Sequence, residues 1–277
     1  MLCTDDTSVV VASGTSLQVV TISTATVQST TTLSSDVLAM HAAFGYLAVG
    51  TNDKRIHLYQ MPDCTLVTSI DILKRCASLY IANVEGNVFV LVADKFADVW
   101  AYPVSSLMKS RSFVLQHSTS SITQMRVVPS LGKIFTADQD EKIRVSHFPA
   151  SHVVSNYCLG HTKIVSSIDI LTVGSPAILL SGSGDGTLRS WDPETGLLLN
   201  TIQFDGTLSN NDVVVTALTC SSQTRTVTFA VVHDGKSKVK VATIDDKGKI
   251  TLTSEQSLNG VVVGIISIGE TNEETTH

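Results

Sequence analysis

The chain has 277 residues and a formal net charge of −6 at pH 7. Hydrophobic residues make up 43% of the sequence and charged residues 16%, which excludes a mainly disordered chain. Because a protein that grips nucleic acid by itself needs a basic surface to neutralise phosphates, the acidic balance argues against a stand-alone nucleic-acid binder.

The cysteines and the two chain ends predict a soluble, intracellular protein. The five cysteines are widely spread and form no Cys-x-x-Cys pair, so neither a disulfide framework nor a zinc site is expected. The first six residues, MLCTDD, are acidic where a signal peptide would be basic. The apolar run Gly260–Gly269 is about half the ~20 residues that a membrane helix needs, so no membrane contact is expected.

A strand–turn–strand pattern recurs along the chain. Its clearest copy, LLSGSGDGTLRSWD at Leu179–Asp192, reads as a strand, a Gly/Asp turn and a second strand ending in Trp-Asp. The positions equivalent to Trp191 are Tyr59, Tyr102 and Ser146, and successive positions are about 44 residues apart. In chain order the copies are Val9–Ser23, Leu47–Gln60, Leu91–Pro103, Ile134–His147, Leu179–Asp192 and Thr228–Ile244.

Each copy has further strands beside it, as Ile164–Ile170 and Leu197–Gln203 flank the clearest one. Four short strands in each unit of ~40–45 residues are typical of a β-propeller blade. One blade cannot bury both of its faces, and packing blades around an axis buries them. We therefore predict an all-β propeller that forms a single domain over residues 1–277, with a polar tail of about eight residues.

The clearest unit resembles the WD-repeat family. In that family a His, a Ser, an Asp and a Trp form a hydrogen-bonded chain within a blade, which satisfies buried polar groups. The preceding unit keeps His117, Thr136 and Asp140, but Ser146 stands in place of the tryptophan. The resemblance implies the fold and is silent on function. The four matching residues are His161, Ser181, Asp185 and Trp191.

The number of blades depends on how the ring closes. The first strand is expected at Val9–Ala12 and the last at Gly260–Ile268. Either the last strand completes the first blade to give six blades, or parts of a seventh blade are lacking. Because WD-repeat proteins typically have seven blades, we favour a seven-bladed propeller, of which six units are recognisable.

A second resemblance is narrower and more informative about function. The segments DQDEKIRVS (Asp138–Ser146) and NYCLGHTKIVSS (Asn156–Ser167) resemble the non-catalytic WD-repeat subunit of tRNA (guanine-N7-)-methyltransferase. Two upstream segments, KRCA (Lys74–Ala77) and LVADK (Leu91–Lys95), agree with it in order and spacing. In that family the propeller has no cofactor and no active site. It binds and stabilises a separate catalytic subunit, which forms N7-methylguanosine in tRNA.

The resemblance implies a heterodimer in the nucleus, with tRNA bound mainly through the partner. It assigns Asp140 and Arg144 to the partner contact, together with the neighbouring Glu141 and Lys142, and makes Lys95 a possible tRNA contact. A charge reversal at Arg144 is then expected to weaken association without unfolding the propeller. The alternative is that DEKIR is an ordinary solvated turn, in which Asp140 serves only its own His117.

Other signals favour structural roles. The GSGDG segment (Gly182–Gly186) is followed by a strand and not by the helix that a phosphate loop needs, so it predicts a tight turn. His147 and His152 lack further ligands at metal-binding spacing, and no metal site is expected. Trp100 and Tyr102 face one side of a strand and are interpreted as blade packing. The remaining alternative function is a generic WD-repeat scaffold of another multiprotein complex.

Overall fold

The computed structural model describes residues 2–4, 8–116, 120–172, 176–204, 213–233, 236–259 and 262. Its strands form six antiparallel sheets of four strands, and each sheet uses strands that are consecutive in the chain. Each sheet is therefore one blade of a β-propeller. Blade one contains β1 (Leu2–Thr4), β2 (Ser8–Ser13), β3 (Ser16–Thr21) and β4 (Thr26–Thr32). Blade two contains β5 (Val37–Ala43), β6 (Tyr46–Thr51), β7 (Arg55–Gln60) and β8 (Thr65–Asp71). Blade three contains β9 (Cys76–Val84), β10 (Asn87–Asp94), β11 (Asp98–Pro103) and β12 (Ser112–Gln116).

Blades four to six repeat the same arrangement, and two short 3-10 turns, Val104–Ser106 and Pro129–Leu131, stand in the connections of blades three and four. Blade four contains β13 (Ile122–Val128), β14 (Lys133–Asp138), β15 (Lys142–His147) and β16 (Val154–Leu159). Blade five contains β17 (Val165–Leu171), β18 (Ile178–Ser183), β19 (Thr187–Trp191) and β20 (Leu198–Gln203). Blade six contains β21 (Val214–Ser221), β22 (Thr226–His233), β23 (Lys236–Ile244) and β24 (Ile250–Leu258).

The burial of each strand follows from its place in the blade. The second strand of blade four, β14, is buried along its whole length because neighbouring blades cover both of its faces. The outermost strand of blade six, β24, is exposed after its first residue and is rich in Ser and Thr. Apolar runs therefore mark the middle strands, and polar runs mark the rim of the propeller.

The core consists of separate apolar layers between successive blades. Five clusters of buried residues join blade one to two, two to three, three to four, four to five and five to six. The layer between blades four and five contains Phe135 and Trp191, both with no exposed surface. Apolar burial on this scale is the main stabilising term of the fold.

The innermost strands are also linked by hydroxyl groups. The side chain of Thr123 on β13 donates to the carbonyl of Val165 on β17, and Ser166 on β17 donates to the carbonyl of Val215 on β21. Thr216 on β21 makes the same contact with the carbonyl of Val262, at 2.9 Å. The hydroxyls of Thr123 and Ser166 therefore each tie one blade to the next near the axis.

The structure corrects two predictions about the ends of the propeller. Six blades are present in the described part of the chain, and not the favoured seven. The first blade is complete, because Leu2–Thr4 pairs with β2 ahead of the expected first strand. Apart from Val262, the expected last strand at Gly260–Ile268 lies outside the described residues. No helix within the described ranges is long and apolar enough to cross a membrane.

Candidate partner-binding face on blade four

The turn between β14 and β15 presents two carboxylates to solvent. Asp140 and Glu141 are both exposed, and Glu141 has a left-handed backbone with φ of 72°. The turn is held from below by Asp138, which is fully buried and accepts the backbone N–H of Lys142 at 2.9 Å. Spacing within the repeat matches Asp140 to Asp185, the carboxylate of the hydrogen-bonded chain in blade five. In the structure the buried carboxylate of this turn is Asp138, and Asp140 is exposed. His117, the expected partner of Asp140, lies outside the described residues.

The two cations of the segment lie on β15 and face blade three. The side chain of Lys142 is 40% exposed, and its Nζ lies 3.9 Å from Oδ2 of Asp138. Arg144 is only 7% exposed, and its Nε donates to the hydroxyl of Ser146 at 2.8 Å. Burial lowers the pKa of the Arg144 guanidinium, although it remains a cation at neutral pH. Because Arg144 is buried and hydrogen-bonded within blade four, a charge reversal there is expected to destabilise the blade as well as any contact with a partner protein.

Two apolar side chains on β16 complete this surface. Tyr157 pairs with Arg144 and Leu159 pairs with Lys142 across the two strands, so they share one face of the sheet. Tyr157 is 42% exposed and Leu159 is 61% exposed. Sequence reasoning missed both, although the alternation around the buried Cys158 could have indicated them. We call the following six residues the blade-four face: Asp140, Glu141, Lys142, Arg144, Tyr157 and Leu159.

Lys95 occupies the corresponding turn of the neighbouring blade. It is exposed in the connection between β10 and β11, as Asp140 is in the connection between β14 and β15. Its Nζ lies 5.2 Å from the ring centre of Phe96, which is itself 53% exposed. The fold therefore presents Lys95 on the same side of the propeller as the charged turn of blade four.

The WD-repeat residues of blade five form a buried chain. The indole N–H of Trp191 donates to the hydroxyl of Ser181 at 2.8 Å, and Ser181 lies 2.7 Å from Nε2 of His161. Nδ1 of His161 lies 2.9 Å from Oδ2 of Asp185. Burial lowers the pKa of His161, so the imidazole is neutral at pH 7 and donates from Nδ1. Burial opposes ionisation of Asp185, but hydrogen bonds from His161 and Thr187 hold the pKa of its carboxyl below the ordinary value.

The blade-four face combines features that suit a protein contact. Exposed Tyr157 and Leu159 supply apolar area, while the adjacent turn supplies charges of both signs. Nearby Cys158 is not a nucleophile at neutral pH, because burial raises the pKa of its thiol to about 12. The chemistry that this face offers is recognition by packing and ion pairing.

Comparison with known proteins identifies the family. A family model for the tRNA methyltransferase TRM82 WD40 domain matches residues 120–277. The human tRNA (guanine-N(7)-)-methyltransferase non-catalytic subunit WDR4 is 38% identical over 156 residues, covering 56% of this chain and 37% of the relative. The Xenopus laevis subunit wdr4 is 32% identical over 215 residues, covering 75% of this chain and 53% of the relative. The chain thus spans between 37% and 53% of the length of these two curated relatives.

Solved structures agree on the fold. A chain of the mitotic checkpoint complex superposes with a TM-score of 0.79 at 14% identity, over 95% of this chain and 82% of that chain. The WD40 repeats of RRP9 superpose with a TM-score of 0.77 at 16% identity, over 94% of this chain and 80% of that chain. At such identities the likeness shows the WD-repeat propeller alone. The family model matches more than half of the sequence, and the chain belongs to the family of the TRM82 WD40 domain of tRNA methyltransferases.

Proposed function

We propose that this chain is a non-catalytic subunit that binds and stabilises the catalytic subunit of a tRNA (guanine-N7-)-methyltransferase. The observation that carries the proposal is the family match over residues 120–277, which includes every residue of the blade-four face. The human and Xenopus relatives are named non-catalytic subunits of that enzyme. The partner supplies S-adenosylmethionine chemistry, and this chain supplies a rigid docking surface.

The blade-four face is the proposed contact with the catalytic subunit. Its exposed anchors are Tyr157 and Leu159, and apolar or aromatic anchors of this kind carry much of the energy of protein interfaces. Asp140, Glu141 and Lys142 surround these anchors and would set orientation through ion pairs. Arg144 lies beneath the exposed residues, where it holds β15 and its connection to β16 in place.

The assembled complex is proposed to be a heterodimer that acts in the nucleus. The formal net charge of −6 suits a subunit that leaves most phosphate contacts to its partner. A rigid propeller can hold the catalytic subunit in its tRNA-binding shape, which lowers the entropy lost when tRNA binds. Lys95 is the proposed exception, an exposed cation that contacts a tRNA phosphate directly.

The test is co-expression of this chain with the catalytic methyltransferase subunit of the same organism, followed by affinity purification. Leu159→Glu should abolish co-purification, because it places a charge in the apolar centre of the face. Leu66→Glu is the matched control, since Leu66 is 57% exposed on the outer strand of blade two. Thermal melts would establish that both variants are folded. Undiminished co-purification by folded Leu159→Glu protein would refute the assigned face. Failure of the unsubstituted chain to co-purify would favour a scaffold of another complex.

A further inference from the structure

A groove lies between blades two and three, and it shares no residue with the blade-four face. It is a cavity of about 30 Å³ whose floor includes Val92 and Tyr102, both nearly fully buried. Its lining includes Leu73, which is 72% exposed. Phe113, which is 54% exposed, lies beside the lining residue Trp100. The full lining is Ile72, Leu73, Lys74, Val92, Asp94, Trp100, Tyr102 and Arg111.

An aromatic pair holds a guanidinium over this groove. The ring centres of Trp100 and Phe113 are 5.2 Å apart in an edge-to-face arrangement. The guanidinium carbon of Arg111 lies 4.1 Å from the ring centre of Trp100. Stacking on an aromatic face orients an arginine without using its N–H donors. Trp100, expected from sequence to be blade packing, is thus also part of a half-buried surface.

The two cations of the groove, Lys74 and Arg111, differ in whether a carboxylate pairs with them. Lys74 is paired, because its Nζ lies 2.9 Å from Asp98 and 3.6 Å from Asp94. Arg111 is exposed, and among the residues that the structure describes no carboxylate lies within ion-pair distance of it. The groove therefore offers one oriented cation, Arg111, beside apolar surface, and its one lining carboxylate, Asp94, is paired with Lys74.

We propose that this groove docks a peptide segment of a partner protein that carries a carboxylate one to three residues from an apolar side chain. The carboxylate would accept two N–H groups of Arg111, which is the geometry that the guanidinium fork favours. The apolar side chain would pack on Leu73 and cover the mouth of the cavity. The proposal is independent of the contact with the catalytic subunit, because it uses none of the residues of the blade-four face.

A phage-displayed library of random dodecapeptides tests the proposal, with the full chain as bait and Arg111→Glu protein as the parallel bait. Peptides enriched only on the unsubstituted chain should contain Asp or Glu within three residues of Leu, Ile, Phe or Trp. Replacing the acid by its amide in a synthetic, fluorescein-labelled copy should weaken binding at least about tenfold. Lys109→Glu, an exposed charge reversal two residues from Arg111, should bind these peptides as the unsubstituted chain does.

Three outcomes would overturn the proposal. The first is equal enrichment on both baits, and the second is enrichment of peptides without a carboxylate. The third comes from a labelled oligo(U) RNA, tested by fluorescence polarisation. If the RNA binds the chain and the binding is lost in Arg111→Glu but not in Lys109→Glu, the groove serves nucleic acid instead. Thermal melts of both variants establish that lost binding does not reflect unfolding.

Discussion

At the scale of single residues, the buried chain of blade five shows how polar groups stabilise an apolar layer. Ser181 has no exposed surface and lies between Trp191 and His161, so it satisfies both. Ser181→Ala should lower the free energy of unfolding by about 2–4 kcal/mol, because two buried groups lose their partner. Urea titration measures the change, with Thr201→Ala on the exposed outer strand as control. Equal, small changes in the free energy of unfolding for both substitutions would contradict the role of Ser181 as hydrogen-bond partner of Trp191 and His161.

His41 makes the stability dependent on pH. It lies on an innermost strand, where its Nδ1 accepts the backbone N–H of Ile81 at 3.1 Å, and burial lowers its pKa to about 3. The unfolded chain, with a histidine pKa of 6.5, binds the proton between these values, so stability falls as pH falls below 6.5. The loss from this group should reach about 2 kcal/mol at pH 5.

His41→Gln tests this dependence, because the amide oxygen can accept the same N–H without titrating. At the equivalent position of blade five, Asp169 already accepts the N–H of Cys220 through an oxygen, at 2.8 Å. Urea unfolding at pH 7 and pH 5 should show a smaller loss of stability for the variant than for the unsubstituted chain. Identical losses would show that His41 is not the group responsible.

At the scale of strands and turns, the charged segment of blade four separates into a structural part and a surface part. Arg144→Glu should lower the free energy of unfolding by about 3 kcal/mol, because it buries an unpaired charge on β15. Asp140→Lys, on the exposed turn, should change stability by less than about 0.5 kcal/mol. Denaturant melts compare the two. A stable Arg144→Glu protein would show that the guanidinium is exposed in solution and restore the sequence-based expectation.

The sequence was sufficient to predict the repeated strands, but it did not distinguish buried Arg144 from exposed Asp140. The equivalence of Tyr59, Tyr102, Ser146 and Trp191 appears in the structure as a shared pairing position, opposite Leu47, Val90, Ile134 and Leu179. Period and turn residues are local signals, so they could be read directly. Burial of Arg144 depends on a neighbouring blade and on the connection from β15 to β16, which no local pattern specifies.

The same limit explains the turn carboxylates and the apolar anchors. Alignment by spacing matched Asp140 to Asp185, but the side chain that folds back beneath the turn is Asp138. Tyr157 was not predicted as a surface residue, and its exposure follows from the outer position of β16 in the blade. Which residues become surface is therefore set by how blades pack and not by the repeat itself.

At the scale of the whole molecule, the acidic chain should contribute little to tRNA binding except at Lys95. Lys95→Ala should leave assembly with the catalytic subunit intact and reduce the slope of log affinity against log salt by about one. Filter binding of the assembled complex between about 50 and 200 mM salt measures this. Lys54→Ala, in the corresponding turn of blade two, is the matched control. An unchanged slope for Lys95→Ala would remove this residue from the tRNA contact.

The number of blades also belongs to this scale. Each described layer buries apolar side chains between two sheets, so the propeller is stabilised pair by pair along the chain. Thr216 bonds the carbonyl of Val262 as Thr123 and Ser166 bond the carbonyls of the following inner strands. Sequence period could not decide the blade count, because the ends of the chain carry the weakest copies of the repeat.

In the proposed role, this chain assists a separate catalyst and performs no methyl transfer itself. The most direct measurement is transfer of a labelled methyl group from S-adenosylmethionine to tRNA by the catalytic subunit, while this chain is titrated in. We expect no transfer by this chain alone and a rate that rises until one copy is present for each catalytic subunit. Transfer by this chain without the catalytic subunit, or a rate that does not respond to its addition, would rule out this role.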